Sequence, residues 1–89
     1  MTAYVLAKGV LRASLEDEEV LLNPSSGMYH LINMTARSLL EAMEDGSSYD
    51  QAIEGIASRS GASVERVRAD ADAFVGRMVD RGLVEEVAT

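Results

Sequence analysis

Residues Glu19–Gly46 read EVLLNPSSGMYHLINMTARSLLEAMEDG. The order of signals in this stretch is strand, turn, strand, capped helix. Val20–Asn23 is apolar at three successive positions, which predicts a strand covered on both faces. Asn23–Gly27 (NPSSG) is turn chemistry, because Pro presets φ and Gly accepts a positive φ. Met28–Ile32 is then a short apolar strand. Period-two geometry puts Tyr29 and Leu31 on one face and Met28, His30 and Ile32 on the other. Asn33 is a good N-cap, with Thr35 as a rival. Met34–Glu44 follows with Leu39, Leu40 and Met43 at helical spacing, and Asp45-Gly46 closes it with a C′ glycine.

Upstream, Met1–Gly9 has little pattern and reads as a loose arm. Val10–Leu15 alternates weakly, with Leu11, Ala13 and Leu15 on one face. Glu16–Glu18 makes an acidic turn, and the acidic run Leu15–Glu19 reads as solvated. Downstream, Ser48-Tyr49-Asp50-Gln51 is a capping box. The helix it opens carries Ala52, Ile53, Ile56 and Ala57 and stops at Ser60-Gly61. Gly55 lies inside that helix, where it predicts close packing against another backbone. Ser63 caps a third helix with Val64, Val67, Ala71, Phe74, Val75 and Met78 as its apolar stripe. Arg77 and Arg81 lie in its last turns, where the helix dipole favours cations. Gly82 closes it, and Leu83-Val84 returns as an apolar tail under the helices.

The prediction is an α+β fold: a three-stranded antiparallel sheet followed by three helices, like a winged helix-turn-helix. The expected organisation is an arm over 1–9, one domain over 10–85 and a tail over 86–89. A chain of 89 residues has no room for a second core.

Composition narrows the function. There is no cysteine, which excludes disulfides, thiolate catalysis and Cys-based zinc sites, and fits a cytoplasmic protein. No apolar run approaches the ~20 residues of a membrane span. Fifteen acids against eight bases give a formal charge of −7, which disfavours a phosphate backbone as partner. Arg66, Arg68, Arg77 and Arg81 sit on the third helix, but Glu65, Asp70, Asp72 and Asp80 are interleaved with them. His30 is the sole histidine, and no second His or Cys completes a metal site. Ser25 and Ser26 lack both a nucleophile elbow and a base partner. No catalytic array, cofactor motif or phosphate loop is present.

What remains is an edge. A strand such as Met28–Ile32 presents free hydrogen-bonding groups unless something covers them. An extended peptide can pair with such an edge, with side-chain pockets supplying selectivity. The third helix offers Val67, Phe74 and Met78 as an apolar wall, bordered by Asp70 and Arg77.

The Leu21-Leu22 pair, Tyr29 and Leu31 before Asn33, Asp45-Gly46, Ala52 with Ile56, Asp70, and Gly82-Leu83-Val84 stand in an order that resembles the PqqD-like family. These are the leader-peptide recognition elements of ribosomally made, modified peptides. The resemblance runs from Val10 to Val84. At this length the chain is most similar to the free-standing recognition proteins of lasso-peptide gene clusters. The resemblance implies a noncatalytic adaptor without cofactor or metal. Such a domain holds the leader as an added strand on Met28, Tyr29, His30, Leu31 and Ile32, beside Val67, Asp70, Phe74, Arg77 and Met78. It implies delivery of the leader to a cysteine-type leader peptidase and a cyclase. Two other readings share the fold: a partner in pyrroloquinoline quinone biosynthesis and a winged-helix nucleic-acid-binding regulator. The family usually has Leu followed directly by Asn, whereas this chain has Leu31-Ile32-Asn33. Two strand registers therefore stay open, with either Tyr29 or His30 facing the groove.

Overall fold

A computed structural model describes residues 2–16 and 18–88. Its elements run β1 (Thr2–Leu6), β2 (Leu11–Leu15), β3 (Glu18–Asn23), β4 (Met28–Ile32), α1 (Met34–Glu44), α2 (Tyr49–Ser60), α3 (Val64–Asp80) and β5 (Val84–Ala88). The three-stranded antiparallel sheet in the order β2-β3-β4, followed by three helices, is the expected α+β arrangement.

Local chemistry accounts for the element ends. In the β3–β4 turn, the Asn23 side chain accepts from the Ser25 amide at 3.0 Å, and the Gly27 amide donates to the Asn23 carbonyl at 2.9 Å. Gly27 holds φ +73°, a left-handed conformation that glycine adopts without steric cost. Asn33 caps α1 by accepting from the Ala36 amide at 2.9 Å. Ser48 and Gln51 complete the capping box at α2, and Ser63 caps α3. Each cap satisfies an N–H that has no partner within its helix.

Two segments differ from the sequence reading. Thr2–Leu6, expected as a loose arm, is a strand; it pairs antiparallel with Val84–Ala88 in a separate two-stranded ribbon. The ribbon packs on the helices, β1 against α1 and α2, and β5 against α3. The Tyr4 ring meets Tyr49 edge-on, centroids 5.1 Å apart. The expected acidic turn over 16–18 is shorter, because Glu18 already opens β3; Asp17 lies outside the described residues.

The cross-strand register fixes which side chains share a face. Arg12, Leu21 and His30 are aligned on one face, as are Ser14, Glu19 and Ile32. This face meets the helices: Leu21 is fully buried and Ile32 nearly so. The other face carries Leu11, Leu22 and Tyr29 in one row and Ala13, Val20 and Leu31 in the next. Leu11, Tyr29 and Leu31 are exposed there. The expectation that Val20–Asn23 is flanked on both sides is therefore corrected. Val20 and Leu22 are only half-buried on this face.

The core joins Leu21 and Ile32 to Leu39, Leu40, Met43, Ile53, Phe74, Val75 and Met78, with Leu83 and Val84 sealing it from below. Gly55 does not mark a close backbone approach. A Cβ placed there meets only the Arg59 guanidinium, at 3.5 Å.

A candidate peptide-binding groove

β4 is an edge strand of the sheet. Beside it, between the strand and α3, lies an open groove of about 570 Å³. His30, Leu31 and Ile32 form the strand wall, continued by Asn33, Thr35 and Ala36 at the start of α1. Val67, Asp70, Ala71, Ala73, Phe74 and Arg77 form the opposite wall, with Arg66 toward the N-terminal end of α3. Leu39 and Ile56 close the floor. The helix-wall numbering follows from the 3.6-residue period. Positions 67, 71, 74 and 78 turn into the core, and positions 66, 70, 73 and 77 crown the rim.

Of the residues expected to contact a peptide, His30, Leu31, Ile32, Val67, Asp70, Phe74 and Arg77 line this groove. Met28, Tyr29 and Met78 do not. Met78 is fully buried, so its side chain is core. Tyr29 is 64% exposed on the outer face of the sheet. The two open registers are thereby resolved: His30 and Ile32 turn toward the helices, and Tyr29 turns away. Val67 and Phe74 are each 7% exposed, so they serve the core and show only an edge to the groove.

The polar rim is uneven. Arg81 is absent from the expected set, yet its Nη1 lies 2.7 Å from His30 Nδ1. Burial pushes the His30 pKa below its ordinary value, and the nearby charges of Arg81 and Arg77 lower it further. A guanidinium can only donate, so Nδ1 accepts from Arg81. No signal near either residue in sequence reveals this contact, which joins positions 51 apart in the chain.

Three other arginines hold carboxylates. Arg12 Nη2 lies 2.9 Å from Glu19 Oε2, and its Nη1 reaches Glu44. Arg37 Nε lies 2.9 Å from Glu41 Oε1. Arg68 bonds Asp50 at 2.8 Å. Tyr49 donates to Asp72 at 2.7 Å; burial and that carboxylate push the phenol pKa well up. Among the described residues, no group of three or more His, Cys, Asp or Glu stands where it could hold a metal ion. No helix among them is long and apolar enough to cross a membrane.

The profile of the family described as Coenzyme PQQ synthesis protein D (PqqD) matches residues 18–84. The chain belongs to the PqqD family. That match begins at β3 and ends at the first residue of β5, so it contains both walls of the groove. Two solved structures share this PqqD chain's fold. "TbiB1 in Complex with the TbiA(beta) Leader Peptide" is 21% identical with a TM-score of 0.82, covering 96% of this chain and 99% of that one. "Lasso peptide synthetase B1 complexed with the leader peptide" is 23% identical with a TM-score of 0.83, covering 92% and 96%. No match was found among curated proteins.

Proposed function

We propose that this PqqD-family chain is a noncatalytic adaptor that binds the leader segment of a ribosomally made precursor peptide as an added strand on β4. The observation that carries this reading is the groove itself. An edge strand stands open beside a helix whose exposed side offers Arg66, Asp70 and Arg77 over an apolar floor. Backbone hydrogen bonds to Met28–Ile32 supply affinity, and the helix wall supplies selectivity. The two proteins of like fold are both described in complex with leader peptides. Since both are near full-length matches to this chain, a lasso-peptide precursor is the first candidate. The adaptor would then present the leader to a separate cysteine-type peptidase and to a cyclase.

The test is direct. The genes flanking this one identify the precursor, and its leader is titrated into labelled protein. Amide signals of Met28–Ile32 shift and gain exchange protection on binding. Asp70→Ala or Arg77→Ala weakens the leader's affinity while the fold stays intact, because exposed substitutions cost under ~0.5 kcal/mol of stability. Unchanged protection over Met28–Ile32 excludes strand addition. The family's description favours a second reading, service to pyrroloquinoline quinone synthesis. A radical enzyme encoded nearby, in place of a peptidase and a cyclase, decides for it.

A further inference from the structure

Arg77 and Arg81 are two guanidiniums without a paired carboxylate among the described residues. Arg12, Arg37 and Arg68 each hold a carboxylate, whereas no ion pair within 4.0 Å involves Arg59, Arg66, Arg77 or Arg81 among the described residues; of these four, Arg77 and Arg81 are the two beside His30. They stand one helical turn apart at the end of α3, and both side chains are exposed. Across the groove His30 takes a bond from Arg81 at Nδ1 and holds it toward the strand. Neither nearby acid forms an ion pair with them among the described residues. Asp70 lies seven residues from Arg77 on the same helix, roughly 10 Å along the axis, about one screening length away. Asp80 stands three residues from Arg77, but its side chain lines a separate cleft with Tyr4, Val79 and Glu86. The last carbonyls of α3 are also occupied, accepting from the Arg81, Gly82 and Leu83 amides. They therefore oppose an anion less than a bare helix end does.

We infer that Arg77 and Arg81, with His30 beside them, form a receptor for one Asp or Glu side chain of the bound strand, two residues from its apolar anchor. The spacing comes from β4. Ile32 faces the apolar floor and His30 faces the arginines. These two positions are two residues apart, roughly 6.7 Å along a strand. An added strand in register places one side chain over the floor and its same-face neighbour beside Arg77. In a chain of formal charge −7, a local pair of free cations selects by charge what the protein as a whole repels. This inference rests on the groove being the peptide site.

Random 12-residue peptides displayed on phage and selected on the full chain supply the probe. The selected peptides share an apolar residue and an acid two positions apart, and their order gives the direction of the strand. Replacing that acid by its amide, or making Arg77→Gln or Arg81→Gln, weakens binding about 5- to 10-fold. The acid and arginine changes are non-additive in a double-mutant cycle. The amide peptide binds wild type and both variants alike, which a general folding defect would not produce. The His30 ring titrates below its ordinary value in the free protein, and its pKa rises when the acidic peptide binds. Peptides that perturb Met28–Ile32 but show no preference for an acid overturn the carboxylate receptor and leave strand addition standing. If no selected peptide perturbs Met28–Ile32, the groove reading fails and the receptor fails with it.

Discussion

Glu19 shows how a single charged residue can mislead and then explain. It ends an acidic run that reads as solvated, yet it is 3% exposed. Its partner is on the neighbouring strand. Arg12 donates to both Glu19 oxygens, at 2.9 and 3.1 Å, and Ser14 adds a third contact at 3.4 Å. Burial alone would lower the Arg12 pKa, but its bonds to Glu19 and the charge of Glu44 raise it above the ordinary value. The register that aligns Glu19 with Ile32 also sends His30 into the groove, so this pair guards the strand alignment. Glu19→Ala leaves Arg12 with Glu44 and empties a buried site. The expected loss is about 2 kcal/mol of stability, and Glu19→Gln, which keeps an acceptor, loses less. Urea denaturation compares the two variants; equal midpoints for Glu19→Ala and wild type would reduce the pair to a surface ornament.

At the scale of elements, what was legible was what is decided locally. Asn33, Ser48 and Ser63 each accept from the amide three residues on, so their sequence neighbours alone mark the helix starts. The β1–β5 ribbon was illegible for the opposite reason. Tyr4 pairs with Glu86, 82 residues later, and neither TAYVL nor VEEVA alternates clearly enough to demand a partner. The groove's strand wall was readable from Met28–Ile32, but the Arg81–His30 contact was not, because it exists only once α3 lies across the sheet. Gly55 marks a third kind of limit. Sequence shows an unfavourable residue inside α2 and invites a packing reason, which the structure does not supply. With helical φ and only Arg59 to touch, Gly55→Ala fits without strain. It is expected to raise stability by about 0.5–1 kcal/mol, by favouring the helix and restricting the unfolded chain. Thermal unfolding reads the gain; a loss instead would reveal a close approach to Gly55 that only a partner provides.

The whole molecule combines a winged-helix-like architecture with an electrostatic character unsuited to nucleic acid. In that architecture α3 occupies the place of a recognition helix, so its four arginines invite a phosphate reading. The structure divides them. Arg68 is bound to Asp50, Arg66 lines one end of the groove, and Arg77 and Arg81 gather at the other end around His30. They do not form one strip along which a backbone could run, and Asp70 stands between the two ends. Affinity for duplex DNA depends on how many phosphates are neutralised together, and each contributes to the salt dependence. Two or three separated cations on a chain of charge −7 neutralise few phosphates. The expected outcome of a DNA titration in about 0.15 M salt is therefore no binding tighter than ~10⁻⁴ M, the weak end of nonspecific association. If the groove takes a peptide as proposed, that binding is expected to show a shallow salt dependence, because strand pairing is uncharged and only the Arg77–Arg81 contact is screened. Tight DNA binding with a steep salt slope would make α3 a recognition helix and return the groove to the core.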